Sequence, residues 1–317
     1  MKEFAIVITA VLPVLFTALA GMLMRRVNYL SEEADKSLLQ VTINLLIPCF
    51  IFDKLLGNSA LAVPSNLILA PLVGIVTVVA GILVGLALAG LSGLRDPLER
   101  KSFGFSAGIY NYGYVPLPLA LALFDRETVA ALVVHNIGVD FAFWTMGALV
   151  FAQRDQPIWR KLIRPPIFAI ALTVILNFAG AADKVPEIVL GTARMIGACA
   201  IPMGLILTGA MTADLLKHFR SSGGGRVMFA ACVIRMLLLP IGFLMLARFL
   251  PATIELKRVI VIQAAMPAAV FAILAARYFH GHPPTALRVV ISTSILGFIT
   301  LPIWIRFGMQ FVGLEMP

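Results

Sequence analysis

Charged residues are scarce in this sequence of 317 residues. Asp, Glu, Lys and Arg together make up 13% of the chain, whereas apolar residues make up 60%. A soluble globular domain contains about 25% charged and about 45–50% apolar residues, so the composition excludes such a domain and indicates a protein of the lipid bilayer. The 25 basic residues exceed the 16 acidic ones. They stand singly or in short groups between long apolar runs, and we expect no nucleic-acid partner.

Cysteine is also rare, and the motifs of several enzyme and pump classes are missing. Cys49, Cys199 and Cys232 each lie inside an apolar stretch without pairing or metal-ligand spacing, which favours simple packing residues. No phosphate-binding glycine motif occurs, which argues against an ATP-driven pump. Asp140 is the only acid in the middle of an apolar run, so an intramembrane aspartyl enzyme would lack its second acid. We therefore expect neither an enzyme nor a bound metal or cofactor.

Long apolar runs are abundant, and ten of them are separated by charged or turn-rich breaks. Each run is long enough to cross a bilayer as a helix, which satisfies its own backbone hydrogen bonds. The connections are short and leave no room for a separate soluble domain. The sequence therefore predicts an all-α polytopic membrane protein with ten transmembrane helices, at about 4–24, 38–57, 65–91, 101–124, 128–151, 166–182, 187–211, 227–249, 257–279 and 285–310.

Lys and Arg are distributed unevenly between the two sides of this ten-helix arrangement. The richer side includes Arg25, Arg154 and Arg220, and the poorer side includes Lys54 and Lys184. Basic residues are enriched on the cytoplasmic side of membrane proteins. We therefore expect a multi-pass protein of the cell inner (plasma) membrane, with both the N- and the C-terminus outside.

The ten predicted helices divide into two halves of five. The halves are residues 1–152 and 166–317, joined by a short cytoplasmic linker at 153–165. The second helix of each half contains an Ile-Pro pair, at Pro48 and Pro202. Because five is an odd number, the second half enters the membrane from the opposite side. This pattern predicts an inverted repeat, the architecture of many secondary transporters.

The fourth helix of each half also contains proline, at Pro116 and Pro118 in the first half and at Pro267 in the second. A proline in the middle of a helix removes a backbone donor and clashes with the preceding turn. A break of this kind persists in a membrane only where it is buried or lines a watery cavity. Two breaks at matching places, flanked by Asn, Gln and Gly, favour a binding site between the halves, although a single proline can simply kink a helix.

Two small-residue motifs lie in the third and fourth predicted helices, Gly81-x3-Gly85 and Gly104-x3-Gly108. This spacing places two glycines on one helix face and lets two helix backbones approach closely. We expect these motifs to serve helix packing and to make no contact with a substrate.

Polar residues stand beside both predicted breaks. Asn111 and Tyr112 lie at the first break, and Gln263 lies at the second. The amide of Asn or Gln offers two donors without a charge. The N-termini of the half-helices after the breaks would add backbone donors and the positive end of a helix dipole. We therefore interpret these three residues as substrate-binding candidates for an anion. Asn44, in the second helix, could reach the same cavity or form a helix–helix hydrogen bond.

Ionisable residues inside membrane spans are costly to bury and are functional candidates by default. Asp140 lies in the middle of the fifth span and Arg235 near the middle of the eighth. Asp140 could carry a coupling proton or pair with Arg235, and Arg235 could instead bind a substrate carboxylate. His135 could relay a proton or simply face a polar cavity. Asn136 is a further substrate-binding candidate, because its i, i+4 spacing places it on one helix face with Asp140.

Four segments, in order along the chain, resemble motifs of the auxin efflux carrier (PIN-like) family in the form found in its bacterial members. The family's fourth helix often contains Gly-x-Pro, and here the residues are Pro116-Leu117-Pro118. We take Pro118 as the crossover proline and Pro116 as the residue that replaces glycine. The similar segments are Ile43 to Phe52, Asn111 to Pro118, Gln263 to Pro267 and Ser292 to Trp304.

The resemblance implies a fold and a mode of transport, with the bile acid/sodium symporters as relatives in fold. Helices 4 and 9 would be broken and would cross near the middle of the membrane. Helices 1, 2, 6 and 7 (about 4–57 and 166–211) would form a scaffold through which a homodimer could assemble. Helices 3–5 and 8–10 (about 65–151 and 227–310) would form a transport domain that moves like an elevator. The substrates would be small organic anions such as auxin-like or dicarboxylic acids.

The expected function follows from the electrical gradient across the membrane. Export of an anion from a cell that is negative inside is favourable by about 2.3 kcal/mol per charge per 100 mV. We therefore expect a secondary transporter that exports small organic anions across the inner membrane. The alternative is an importer of an organic acid coupled to a proton or a sodium ion, and a passive channel is a third class that broken helices would also suit.

Overall fold

The computed structural model describes residues 2–62, 64–151, 165–219 and 224–315. Within these residues the secondary structure is helical, and the only β contact is an isolated antiparallel bridge between Tyr110 and Ala268. The predicted all-helical class is therefore confirmed. The predicted linker at 153–165 lies outside the described residues, except for Pro165, which begins a helix.

Fifteen α-helices are present in the described residues, and we number them in chain order. The first half contains α1 (Lys2–Arg26), α2 (Glu32–Val41), α3 (Ile47–Leu55), α4 (Pro64–Ala87), α5 (Pro97–Gly108), α6 (Pro116–Leu123) and α7 (Arg126–Val150). The second half contains α8 (Pro165–Phe178), α9 (Glu187–Gly197), α10 (Ala200–Phe219), α11 (Gly225–Val233), α12 (Leu239–Phe249), α13 (Ile254–Ala265), α14 (Phe271–Tyr278) and α15 (Pro283–Val312).

Six helical segments of the described residues are long and apolar enough to cross a membrane. Large apolar side chains such as Ile68, Phe168 and Met195 are exposed on the outer surface, as expected where lipid replaces water. The protein is therefore a polytopic membrane protein, as predicted. The six segments are Glu32–Leu55, Asn66–Ser92, Arg126–Val150, Glu187–Asp214, Gly225–Phe249 and Pro283–Val312, and Pro165–Phe178 is a shorter apolar helix.

The two glycine motifs face each other across α4 and α5, which confirms their predicted packing role. A Cβ atom added to Gly81 would lie 2.7 Å from the carbonyl oxygen of Gly108, and one added to Gly85 would lie 2.6 Å from that of Gly104. Gly138 brings α7 equally close to the other side of α4, because a Cβ there would lie 1.8 Å from the carbonyl oxygen of Pro71. Backbone contact therefore holds α4 firmly between α5 and α7.

Two π-helical turns interrupt the long helices, each just before a proline. Thr42–Leu46 joins α2 to α3 ahead of Pro48, and Ile234–Leu238 joins α11 to α12 ahead of Pro240. Proline has no N–H to offer the carbonyl four residues earlier. For Pro240 that carbonyl belongs to Met236, and the indole nitrogen of Trp304 donates to it over 2.8 Å. The π turn at Ile234–Leu238 is thus stabilised by a side chain from α15.

A buried arginine ties α1, α2 and α10 together at one end of the bundle. Arg25 is 3% exposed, and its guanidinium lies 2.5 Å from Asp35 Oδ1 and 3.0 Å from Asp214 Oδ2. It also donates to the carbonyl oxygen of Leu30. Breaking one side of a buried ion pair is strongly destabilising, so these three helices are expected to remain together.

Asp125 begins α7 outside the membrane-spanning segment. Its carboxylate accepts from the backbone nitrogen of Thr128 over 2.8 Å and from the Thr128 hydroxyl over 2.7 Å, and it lies 2.5 Å from Arg258 Nη1. Partial burial raises the pKa of Asp125, but the hydrogen bonds from Thr128 and Arg258 outweigh that effect and hold the pKa below its usual range. The carboxylate is thus both the N-cap of α7 and a link to α13.

Candidate substrate cavity at two helix breaks

Two interrupted helices meet inside the protein, and each satisfies the backbone of the other. The first interruption covers residues 109–115, between α5 and α6, and the second covers 266–270, between α13 and α14. Unpaired backbone groups are very costly inside a membrane. Here two antiparallel hydrogen bonds pair them, from Asn111 N to Pro267 O over 2.8 Å and from Ala269 N to Ile109 O over 3.0 Å.

The prolines lie at or just after these interruptions. Pro116 is the first residue of α6 and Pro118 the third, so the helix stops before them and restarts with them. Proline suits the first turn of a helix, where its missing N–H is not needed. Pro267 lies within the second interruption, and the next residue, Ala268, donates its N–H to the hydroxyl of Thr293 over 3.2 Å. A side chain of α15 therefore supports the second break from behind.

A cavity of about 450 Å³ opens beside the two breaks. This volume lies within the usual range for small-molecule sites, about 300–1,000 Å³. Four of the residues expected to bind substrate or couple to it line the cavity together, namely Asn111, Tyr112, Asn136 and Asp140. The remaining wall is mostly apolar and comes from α3, α7, α8, α10 and α14, with residues including Phe50, Phe143, Trp144, Ile170, Ile201 and Phe271.

Hydrogen bonds connect α7 to the first break at the cavity wall. The hydroxyl of Tyr112 donates to Asp140 Oδ1 over 2.6 Å. The side-chain nitrogen of Asn136 donates to the backbone carbonyl of Tyr112 over 2.7 Å. Among the described residues the side-chain amide of Asn111 has no hydrogen-bond partner. Asn111 and the second N–H of Asn136 are therefore the amide donors that a ligand can reach.

Gln263 and His135 are buried behind this wall and orient Asn136. The side-chain nitrogen of Gln263 lies 3.4 Å from the carbonyl oxygen of Tyr112 and 3.5 Å from Asn136 Oδ1. His135 Nδ1 lies 3.3 Å from the same Asn136 oxygen, and its Nε2 lies 3.5 Å from the hydroxyl of Tyr110. Because that amide oxygen only accepts, the network assigns the ring proton of His135 to Nδ1.

Arg235 is fully buried in the π turn and lies against the second break. Its guanidinium carbon lies 5.3 Å from the ring centre of Tyr110 and 5.2 Å from that of Phe243. Its nitrogens donate to the carbonyl oxygens of Met266, over 3.0 Å, and Gln263, over 3.3 Å. Pairing with Asp140 was one of two alternatives, and the contacts of Arg235 with the described residues include no carboxylate.

Some residues lie elsewhere than the sequence pattern indicates. Asn44 is exposed on the π turn between α2 and α3 and does not line the cavity. The aromatic part of the cavity wall, which includes Tyr114 and Tyr278, is not predicted by the sequence pattern. The ring of Tyr114 lies directly on Gly204 of α10, where a Cβ would be 2.0 Å from a ring carbon. Gly204 alone does not predict this contact, because nothing in the sequence near it names Tyr114 as its partner.

The electrostatics of the cavity combine one acid with two helix ends. Among the described residues that line it, Asp140 is the only carboxylate, and none is Lys, Arg or His. The first turns of α6 and α14 also lie at the cavity, at Leu117 and Phe271. A helix N-terminus carries about half a positive charge. The cavity therefore offers partial positive charge and amide donors to an anion, beside a single carboxylate.

Comparison with known proteins yields one family and two similar proteins. A family model described as "Membrane transport protein" matches residues 6–159 and 155–305. An uncharacterized transporter of Methanothermobacter thermautotrophicus is 26% identical over 306 residues, which cover 93% of this chain and 96% of that protein. An uncharacterized transporter of Methanocaldococcus jannaschii is 22% identical over 301 residues, with the same two coverages.

Proposed function

We propose that this protein is a secondary carrier that exports small organic acids. The premise is that the chain belongs to the membrane transport protein family, which is the family of the auxin efflux (PIN-like) carriers. The chain is a multi-pass membrane protein of a transporter family. The single observation that carries the proposal is the cavity beside two broken helices, because secondary carriers bind their substrates at such breaks.

The proposed architecture is ten membrane helices in two inverted halves of five. Its support is that α5 and α6 are interrupted in one half and α13 and α14 in the other, at matching places in the chain. The cavity is lined by α3, α8 and α10, which would belong to the scaffold, and by the breaks, α7 and α14, which would belong to the transport domain. Movement of the second group along the first, in the manner of an elevator, would expose the cavity to each side in turn. A homodimer through the first group remains a prediction.

The chemistry of the cavity favours a monocarboxylic acid with an apolar or aromatic body. Phe143, Trp144 and Phe271 are among the residues that can contact such a body. The amides of Asn111 and Asn136 can bind one carboxylate, and the partial positive charge of the half-helix N-termini favours it there. A second carboxylate would find no cationic side chain among the described lining residues and would be repelled by Asp140. Auxin-like acids therefore fit this cavity better than dicarboxylic acids.

Direction and coupling follow from the charge of the substrate. Export of an anion is driven by the membrane potential, at about 2.3 kcal/mol per charge per 100 mV, and needs no coupling ion. The alternative function is import of the acid together with a proton. One observation favours it: Asp140 lies at the cavity wall, where it could take up a proton and lose its repulsion of the anion.

A thermal-shift screen of purified protein tests the proposal. Indole-3-acetate, malate, malonate, neutral amino acids and amines would be added in turn, because a ligand that binds only the folded protein raises its melting midpoint. We expect a monocarboxylate to raise the midpoint. Asn111→Ala should remove the shift without destabilising the protein. Asn44→Ala is the matched control, because Asn44 is exposed away from the cavity and should leave the shift unchanged.

Two results would contradict the proposal. If only a neutral or cationic compound raises the midpoint, the substrate is not an organic acid. If the acid binds equally well to the Asn111→Ala variant, the cavity is not its site. Saturable exchange of the labelled acid across liposomes would then separate a carrier from a passive channel.

A further inference from the structure

Arg235 occupies an unusual place for a cation. It is fully buried, and among the described residues no carboxylate pairs with it. Its partners are two backbone carbonyls and the faces of two aromatic rings, those of Tyr110 and Phe243. A buried charge is normally compensated by an opposite charge. Here the compensation comes from carbonyl and ring electrons alone.

The two carbonyls belong to the end of a broken helix. Gln263 lies in the last turn of α13, and Met266 is the first residue after it. The C-terminal end of a helix carries about half a negative charge. In secondary carriers, such half-helix ends and unwound carbonyls are where a coupling cation, sodium or a proton, is held. The guanidinium of Arg235 therefore binds the oxygen atoms that a cotransported cation would require.

Arg235 and its partner Gln263 each have one unsatisfied side-chain atom. Arg235 Nη1 and Gln263 Oε1 are both buried without a hydrogen-bond partner among the described residues. Gln263 thus has a second buried oxygen available to a cation, in addition to the carbonyl that already contacts Arg235. Removing the Arg235 side chain would leave the backbone carbonyls of Gln263 and Met266 without their guanidinium donor.

We propose that Arg235 is a tethered cation that permanently fills a cation site at the second break, so that the carrier works without sodium. The π turn at Ile234–Leu238 places the side chain there, since Arg235 lies within it. The inference rests on the proposed function as a secondary carrier, but it does not depend on which substrate is carried. It assigns to Arg235 a role distinct from binding the substrate.

The test compares the melting midpoints of the wild-type protein and the variants Arg235→Ala, Arg235→Lys and Arg248→Ala. Each protein is measured in sodium, potassium and choline chloride at equal ionic strength, and again with millimolar methylguanidinium. Arg248 is the matched control, because it also contacts a carbonyl and a ring, both of Phe311, but is exposed.

The expected results are specific to Arg235. The wild-type midpoint should be the same in sodium, potassium and choline. The Arg235→Ala variant should melt at a lower temperature, and methylguanidinium or sodium should raise its midpoint in a saturable manner. The Arg235→Lys variant should stay insensitive to sodium because it retains a charge. The control variant should respond to neither cation.

Three outcomes would overturn the proposal. A wild-type midpoint raised by sodium but not by potassium or choline would mean that a free cation site exists. If no cation stabilises the Arg235→Ala variant, Arg235 acts only as a packing residue. If the Arg235→Ala variant does not fold, an Arg235→Lys variant whose melting midpoint is raised by sodium would refute the proposal instead. Failure of every organic acid to stabilise the wild-type protein would instead refute the proposed substrate class and leave these results standing.

Discussion

Replacement of Asn136 by alanine should weaken both the fold and the binding of substrate. Its side-chain nitrogen donates to the carbonyl of Tyr112, and its oxygen faces nitrogen donors of His135 and Gln263. Asn111→Ala makes a useful comparison, since the amide of Asn111 has no hydrogen-bond partner among the described residues. The two variants remove the same group from the same cavity, but only one of them disrupts an internal network.

The expected magnitudes follow from what each variant leaves behind. In Asn136→Ala the ring nitrogen of His135 would lose its acceptor, and a buried donor left unpaired costs about 1–3 kcal/mol. The Tyr112 carbonyl would keep the weaker contact with Gln263 at 3.4 Å. A ligand carboxylate would lose one charged hydrogen bond, at about 1.5–3 kcal/mol, which corresponds to roughly 10- to 150-fold weaker binding. Asn111→Ala should show the loss of binding alone.

The assay is a titration of the stabilising acid followed by the melting midpoint of each variant. Asn136→Ala should have the lower midpoint without ligand, and both variants should bind more weakly than the wild-type protein. Asn111→Ala should match the wild-type midpoint without ligand. The reasoning fails if the two variants are equally stable, or if Asn136→Ala binds the acid as tightly as the wild-type protein does.

Three further predictions concern the cavity, the packing and the surface. Asp140→Asn removes the only carboxylate of the described cavity wall, so a monocarboxylate should bind more tightly to this variant than to the wild-type protein; weaker binding would instead indicate a cationic ligand. Gly85→Val would force a side chain onto the Gly104 carbonyl, 2.6 Å from its Cβ, and should sharply lower the yield of folded protein, unlike valine at Gly242, which has open space around it. Asp125 stabilises the fold while ionised because its pKa is lowered in the folded protein; this stabilisation is complete above the unfolded pKa of about 3.9 and is lost as the pH falls through the folded value, so melting midpoints of Asp125→Asn and the wild-type protein should converge in acid.

Features of local origin could be predicted from the sequence. The helical runs, the interruptions near Pro118 and Pro267, and the glycine packing of α4 on α5 all depend on residue types at fixed spacings. Asn111 and Asp140 were predicted as functional candidates because polar side chains are costly to bury in an apolar membrane span. The family was likewise readable from motifs spread along the whole chain.

Features that depend on direction or on distant partners could not be predicted. The sequence does not show which way Asn44 points, because a π turn shifts the face that each following residue presents. It does not show that Arg235 binds the carbonyls of Gln263 and Met266, since these residues lie about 30 positions further along the chain. Aromatic residues such as Tyr114 look the same in an apolar run whether they face lipid or a cavity.

The pairing of the two breaks has a consequence for how the protein is made. The N–H of Asn111 has its partner in the second half of the chain, at Pro267. At a synthesis rate of about 5–20 residues per second, the first break waits on the order of ten seconds before that partner exists. During this interval its backbone must be kept from lipid by the insertion machinery or by water. A chain that ends after α7 would keep an exposed break indefinitely. Correct folding of the first half therefore depends on the second half.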